Sequence, residues 1–382
     1  MGSGRGWKFI LAATRKSSTG RSIPSPRLRG AAGFAAASDD GVGCNPRSLG
    51  GTLAGVAGET PVGFTWSDYI EGLVSQSGSL TAIAERLAAT RSYEDDVGSI
   101  ERALRRLRGR GLQPGGKWGQ ALLTTFGLPT SVQARLRWMA AYHSRFSDLP
   151  VALCEDLVRL WDHPPTTERR ESRTWLALAR MSIALRRNDY RTACALLEQA
   201  QCDLGPTALV ETQIETLLVQ AFIASKLEPA RVPELLASVE PKLALVQAED
   251  ERACLHVRWT DQQAYDLNKG RDTPPNPSGA EALYLRVPAA NVPPFVLCRR
   301  ANGLAYARWK QGHANEAASL AREAARHAGD GGHVRLRIMA LGLLARIDPS
   351  EAASHERALE MSKRLEDELL LARMAPEASR GS

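Results

Sequence analysis

The sequence predicts an all-α protein, and three observations carry that prediction. Ala, Leu and Arg dominate the 382 residues, while aromatic residues make up only 6%, and the three dominant types lose little conformational freedom in a helix. After the first 60 residues, apolar side chains recur at the i, i+3, i+4, i+7 spacing of amphipathic helices. Runs in which Val, Ile and Thr alternate with polar residues, which would indicate strands, are scarce.

Residues 1–60 are predicted to form a disordered tail rich in Gly, Ser and Ala. Residues 1–38 contain seven of the 49 basic residues and no acidic residue, so the rest of the chain carries 42 basic against 42 acidic residues. The net charge of +7 therefore describes the tail, and an argument for nucleic-acid binding must rest on local charge. The composition of the tail also suits a mitochondrial transit peptide, and the sequence leaves that alternative open.

A small helical domain is predicted over 62–128. Thr65 and Asp68 have the spacing of a capping box, which starts a first helix that ends near Gly78. Ser79 caps a second helix, which the acidic link "TRSYEDD" separates from a third. The glycines of 109–119 then predict a hairpin or a loop.

The third helix contains the densest basic cluster of the chain, "SIERALRRLRGRG" at 99–111. Its apolar residues follow one stripe at helical spacing: Val97, Ile100, Leu104 and Leu107. The arginines at 102, 105 and 106 lie on the opposite side of the helix. The cluster is therefore predicted to be the solvent-facing side of a helix whose other side belongs to the core.

Helices with short breaks continue from 129, first as connecting helices over 129–168 and then as a repeated helix–turn–helix pattern over 169–375. The segments 171–201 and 299–329 align without a gap, with Asn188 and Gly312 at equivalent turn positions. Small residues follow at matching offsets: Ala193 and Ala317, then Ala200 and Ala324. These two units resemble tetratricopeptide repeats. The resemblance implies an α-solenoid, interrupted by a Pro-rich insert at 272–294, with a peptide or protein partner in its groove.

The segment 64–108 resembles the helix-turn-helix domain found at the N-terminus of bacterial regulators. "SLTAIAERLAA" is similar to the supporting helix, with Ala84 at a close helix crossing, and the third helix is similar to the recognition helix. The resemblance implies a double-stranded DNA partner, read in the major groove, and is compatible with a homodimer. The residues implied to face the bases are Ser99, Arg102, Arg105 and Arg106. The residues implied to contact phosphates are Arg108, Arg110 and Lys117.

No motif predicts catalysis, a cofactor or a metal site. Seven histidines are scattered without metal-ligand spacing, and no nucleotide fingerprint or nucleophile elbow is present. Six cysteines form no C-x-x-C pair, which favours buried thiols in a reducing compartment. No apolar run approaches the length of a membrane span. We expect a cytoplasmic, non-enzymatic protein without catalytic residues, cofactor or metal.

Two hypotheses follow for the function. The first is an intracellular transcriptional regulator with a DNA-binding head and a repeat domain that senses or binds a partner. The second is a protein–protein interaction scaffold whose basic helix only caps the repeats. Acidic partners of the arginines within the repeat domain would favour the scaffold, whereas arginines that project freely would favour the regulator.

Overall fold

The computed structural model describes residues 63–90, 95–270 and 274–374. The predicted tail over 1–60 and most of the link between the second and third helices lie outside these ranges. Within the described ranges the protein is all-α, as predicted, and contains no strand. The N-terminal half of the fold consists of α1 (Trp66–Ser77), α2 (Leu80–Thr90), α3 (Val97–Arg108), α4 (Gly116–Phe126), α5 (Thr130–Ala140) and α6 (Val151–Arg159).

The first three helices begin where the sequence predicts. The Thr65 side chain and the Asp68 side chain cap each other's backbone N–H groups at the start of α1, and Gly78 ends that helix with a positive φ of 84°. Ser79 Oγ accepts a hydrogen bond from the backbone N of Ala82 at 3.0 Å. Asp96 caps α3 by accepting from the backbone N of Ser99 at 2.9 Å.

The segment 109–119 differs from its prediction as a loop or hairpin, because α4 begins at Gly116. The buried ring of Trp66 explains the glycines there. A Cβ on Gly115 would lie 2.3 Å from Trp66 Cζ2, and a Cβ on Gly119 would lie 2.7 Å from Trp66 Cη2. These glycines therefore let the backbone of α4 approach the indole ring, rather than breaking the helix.

The core of α1–α4 is continuous with the core of α5–α8. One cluster of buried side chains extends from Trp66 in α1 to Leu197 in α8. Glu168 joins the two regions as well, since its Oε2 accepts from Gln120 Nε2 at 3.1 Å. The first four helices are therefore packed against the rest of the fold and not suspended from it by a linker.

From residue 170 onward the helices come mostly in pairs, each joined by a short connection. They are α7 (Arg170–Arg186), α8 (Tyr190–Asp203), α9 (Val210–Leu227), α10 (Val232–Leu243), α11 (Glu249–Lys269), α12 (Pro277–Leu285), α13 (Pro294–Lys310), α14 (Ala314–Asp330), α15 (Val334–Ile347), α16 (Ala352–Arg364) and α17 (Glu368–Met374). The longest helix described, α11, was not predicted from the sequence. The Pro-rich insert contains α12, which packs on both α11 and α13.

The two turns that the sequence aligned have the expected backbone. Asn188, between α7 and α8, has a φ of 57°, and Gly312, between α13 and α14, has a φ of 88°. Both are left-handed conformations that favour Gly or Asn.

The C-terminal helices return to the region around α6. The backbone N of Val151 at the start of α6 donates to the carbonyl of Leu365 at 3.1 Å. Asp148 Oδ1 accepts from the backbone N of Arg335 at 2.8 Å, and Arg145 Nη1 donates to the carbonyl of Gly331 at 2.8 Å. Because α17 also packs against α7, the run of helix pairs from α7 to α17 closes on itself around a central cavity. Among the described helices, none has the length and apolarity needed to cross a bilayer.

Candidate functional site

Two features of the fold could bind a partner: the basic side of α3 and the central cavity. On α3, the apolar stripe is buried as predicted, with Ile100, Leu104 and Leu107 each at most 2% exposed. Arg102, Arg105 and Arg106 are exposed on the other side. The side of α3 that the sequence predicts to be apolar is therefore buried, and the side that it predicts to be basic is exposed.

The paired arginines of α3 find their partners locally. Arg102 Nη2 donates to Ser99 Oγ at 2.9 Å, and Ser99 Oγ donates to Asp96 Oδ2 at 2.7 Å. These hydrogen bonds from Ser99 hold the pKa of Asp96 below its usual value. Arg105 pairs with Glu101 one turn earlier on the same helix. The resulting network fixes the N-terminal half of the basic side without any residue of α5–α17.

The cations beyond the middle of α3 are also held by nearby groups. Arg108 pairs with Glu71 of α1 at 2.6 Å, and Arg110 Nη1 donates to the carbonyl of Pro114 at 2.6 Å. Lys117, now in the first turn of α4, pairs with Asp95 at 2.8 Å. For Arg106 no ion pair or hydrogen bond is formed with the residues that the structure describes. The seven residues singled out on the sequence thus lie along α3 and its continuation into α4.

The central cavity has a volume of about 490 Å³ and is lined chiefly by α7, α9, α11, α13, α15 and α17. Tyr284 of α12 also reaches its wall. The ring of Tyr284 lies directly against Gly303 of α13, where a Cβ would be 2.0 Å from Tyr284 Cζ. The insert therefore contributes a side chain to the cavity and does not merely interrupt the helix pairs.

A cluster of guanidinium groups surrounds Tyr142 on the cavity wall. The Tyr142 hydroxyl accepts from Arg299 Nη2 at 2.8 Å and from Arg335 Nη1 at 3.0 Å. Arg258 Cζ lies 4.7 Å from the centre of the phenol ring, within the range of a cation–π contact. Burial alone raises the pKa of Tyr142, yet the positive charges of these arginines outweigh burial and hold the pKa below its usual value.

Two acids of the wall are already matched by arginines. Glu215 of α9 and Arg258 of α11 form a buried bidentate pair, in which Arg258 Nη2 donates to Glu215 Oε1 at 2.9 Å. Asp261 Oδ2 lies 3.0 Å from Arg299 Nη1, and its Oδ1 accepts from the Tyr284 hydroxyl at 2.9 Å. Burial nevertheless raises the pKa of Asp261.

Sequence reasoning missed every charged residue of this wall. The signal was an arginine between two large apolar neighbours, as in "VRW" at Arg258 and "VRL" at Arg335. A charged residue within an apolar stretch is expected to be buried against a partner. The partners come from other helices, however, so the pattern could not say that the stretches meet at one cavity.

The residues that the structure describes include no group of three or more His, Cys, Asp or Glu side chains placed to hold a metal ion. The chain matches no protein-family model, no curated protein and no solved structure.

Proposed function

We propose that this chain is a DNA-binding transcriptional regulator in which α1–α4 form the DNA-binding head and α7–α17 form a partner-binding domain. The observation that carries the proposal is the exposed basic side of α3. The partners of Arg102, Arg105 and Arg108 all lie between Glu71 and Glu101. These three arginines are therefore not paired with acids of the partner-binding domain.

The local ion pairs do not prevent contact with phosphates. Exposed pairs such as Arg105 with Glu101 contribute only about 0–1 kcal/mol to stability. Counterion release from DNA can offset the loss of such pairs when an arginine moves to a phosphate. The proposal therefore assigns Ser99, Arg102, Arg105 and Arg106 to the groove and Arg108, Arg110 and Lys117 to the backbone of double-stranded DNA.

The proposal also treats α7–α17 as an α-solenoid of hairpins similar to tetratricopeptide repeats. Support comes from the left-handed turn residues Asn188 and Gly312. The small residues that the repeat pattern requires are all fully buried: Ala193, Ala200, Ala317 and Ala324. A solenoid of this kind offers its inner helices to a partner.

The test is fluorescence anisotropy of a labelled random-sequence duplex titrated with the full chain over a range of salt concentrations. The variant carries Arg102→Ala, Arg105→Ala and Arg106→Ala. On a random duplex, which offers no specific bases to read, we expect these three groove-facing arginines to contact phosphates instead. The plot of log affinity against log salt for the variant should therefore be shallower by roughly 2–3, because each phosphate contact contributes about 0.9 to the slope. Because the basic tail is present in both proteins, its own binding cancels in the comparison.

The matched control removes three exposed arginines from other helices, with the changes Arg159→Ala, Arg231→Ala and Arg364→Ala. Each of these pairs with an acid three or four residues away on its own helix or turn, so the control loses the same charge without touching α3. Equal slopes for variant and control would contradict DNA binding by α3. Sedimentation of the complex reports whether the head binds as a homodimer.

The second candidate is an interaction scaffold that does not bind DNA, and the central cavity is the observation that favours it. Its expected result is the same affinity for the α3 variant and the control, together with a partner that binds the full chain through α7–α17. In that case the basic side of α3 remains a hydrated surface of the N-terminal helices.

A further inference from the structure

The central cavity has the size and the mixed lining of a small-molecule site. Its volume of about 490 Å³ falls within the roughly 300–1,000 Å³ typical of such sites. Part of the wall is apolar, contributed by Val219 and Phe222 of α9 and by Leu343 of α15. The part contributed by α11 and α13 is largely polar. The wall therefore offers two chemically distinct environments to one ligand.

Two acids and two arginines at the polar part of the wall are paired with each other. Arg258 of α11 donates to Glu215, and Asp261 of α11 pairs with Arg299 of α13. A cation or an anion placed beside these pairs would lose its hydration without gaining an uncompensated opposite charge. The α11 and α13 side of the cavity therefore favours an uncharged ligand.

Three side-chain amides of the same two helices have acceptor oxygens that are not used within the fold. Gln262 and Asn268 of α11 and Asn302 of α13 all line the cavity. The side-chain oxygen of each is buried in the wall and accepts no hydrogen bond from the residues that the structure describes. Gln262 Nε2 donates to the carbonyl of Leu218 at 2.8 Å, which orients that amide and leaves its Oε1 over. A buried acceptor without a donor costs free energy that a ligand's N–H groups can recover.

Gln262 and Asn302 lie at the same level of adjoining helices. The pair of Asp261 with Arg299 joins α11 to α13 there. Gln262 directly follows Asp261 in the chain, and Asn302 lies about one helical turn after Arg299. Among the described residues, the Asn302 side chain has no hydrogen-bond partner. Its amide therefore loses no hydrogen bond when it turns about its terminal side-chain bond to present its oxygen to the cavity.

We propose that the central cavity binds a small uncharged amide, with its primary carboxamide group at Asn302 and Gln262 and its apolar body against Phe222 and Leu343. A primary carboxamide matches an asparagine side chain, because each has N–H donors and a carbonyl acceptor and the two groups can exchange a pair of hydrogen bonds. The inference deepens the proposed function by naming a ligand, and it rests on that function only in assigning partner binding to α7–α17. It does not require DNA binding by α3.

The experiment is isothermal titration calorimetry of the full chain, without DNA, with four probes that share an eight-carbon chain: octanamide, N,N-dimethyloctanamide, octanoate and octylammonium. The dimethyl compound keeps the carbonyl acceptor of octanamide and lacks its N–H donors. We expect octanamide to bind at least about tenfold more tightly than each of the other three, as one or two net hydrogen bonds provide. Equal or tighter binding of any of those three, or binding of none of the four, overturns the proposal.

The variant Asn302→Leu tests the hydrogen bonds. Leucine has nearly the shape of asparagine without its donor and acceptor, so octanamide should bind roughly tenfold more weakly and N,N-dimethyloctanamide equally well. The matched control is Gln263→Met, which removes an amide of α11 that lies outside the lining of the cavity. The oxygen of Gln263 also accepts no hydrogen bond from the described residues, but its loss should leave all four affinities unchanged. Circular dichroism melts establish that each protein is folded.

Two further variants complete the placement. Gln262→Met should reduce the preference for octanamide over N,N-dimethyloctanamide at least about threefold, and it keeps the placement testable if Asn302→Leu does not fold. Phe222→Ala should weaken both of these probes equally, because it removes apolar contacts that they share. A preference for octanamide that neither amide variant alters would overturn the assignment to α11 and α13. That result would leave the DNA-binding proposal untouched, since the anisotropy experiment measures a different surface.

Discussion

Arg186 of α7 donates from Nε to Oδ2 of Asp367, 3.2 Å away and 181 residues later in the chain. Both side chains are buried, Arg186 at 1% and Asp367 at 0% exposure. Arg186 Nη2 also donates to the carbonyls of Leu149 and Leu365, at 2.7 and 2.8 Å. This one guanidinium therefore joins the loop before α6, the helix α7 and the C-terminal end of α16, and thereby helps to close the ring of helices around the cavity.

Replacing Asp367 should open this closure. We expect Asp367→Ala to lower the free energy of unfolding by about 3–5 kcal/mol, because it leaves the guanidinium groups of Arg186 and Arg335 buried without their carboxylate. Chemical denaturation followed by circular dichroism measures the change. The control is Glu360→Ala, which removes an exposed acid paired with Arg364 and should cost about 0–1 kcal/mol. A similar loss of unfolding free energy in both variants would mean that Asp367 does not stabilise the closed ring of helices.

Two helical glycines should respond in opposite ways to the same substitution. Gly119→Ala places a Cβ 2.7 Å from Trp66 Cη2, so we expect it to destabilise the fold by about 1–3 kcal/mol through overpacking. Gly72→Ala in α1 meets no atom within 4 Å and should stabilise the fold by about 0.5–1 kcal/mol, because alanine restricts the unfolded chain. Thermal melts of the two variants measure the signs. A neutral or stabilising Gly119→Ala would refute the close packing of α4 on Trp66.

Tyr142 should be among the first tyrosines to ionise as the pH rises. The surrounding arginines hold its pKa below the usual value of about 10, whereas burial raises the pKa of Tyr69 and Tyr284. An alkaline titration followed by phenolate absorbance should therefore lose its earliest step in Tyr142→Phe. Tyr306→Phe, whose phenol has a pKa raised by burial, should keep that step. An unchanged early step in Tyr142→Phe would contradict the arrangement of arginines around this ring.

The lowered pKa of Tyr142 also determines how the free energy of unfolding should change with pH. Its phenolate is favoured in the folded protein, so its ionisation adds stability that is fully present only above the pKa of the unfolded chain, near 10. That contribution is lost as the pH falls through the lower, folded pKa. The difference in unfolding free energy between the wild type and Tyr142→Phe should therefore grow as the solution becomes alkaline.

The rates of cysteine alkylation should distinguish an exposed thiol of α8 from buried thiols of α11 and α13. Cys202 is exposed, whereas burial raises the pKa of both Cys254 and Cys298 to about 12. Because the thiolate is the reactive form, we expect Cys254 and Cys298 to be alkylated about a hundredfold or more slowly than Cys202 at mildly alkaline pH. Peptide mapping by mass spectrometry measures each rate. In denaturant the three rates should converge, and similar rates in the native protein would show that α11 and α13 are not packed as described.

The sequence by itself determined the features that depend on neighbouring residues. The capping box at Thr65, the buried stripe of α3 and the left-handed turn at Asn188 each arise within a few residues, so helical spacing and turn chemistry suffice to predict them. The basic side of α3 was predictable for the same reason, since a residue's side of a helix follows from its position in the period of 3.6.

The tertiary structure alone decided which of these elements meet. Nothing in the local pattern around Arg186 indicates Asp367 as its partner, and nothing around Arg258, Arg299 and Arg335 indicates that all three surround Tyr142. Those contacts join residues far apart in the chain, where their geometry depends on how successive helix pairs turn and where the last helix closes the ring. Local spacing thus determined the helices, whereas the central cavity and the cluster of arginines around Tyr142 exist only because distant helices pack together.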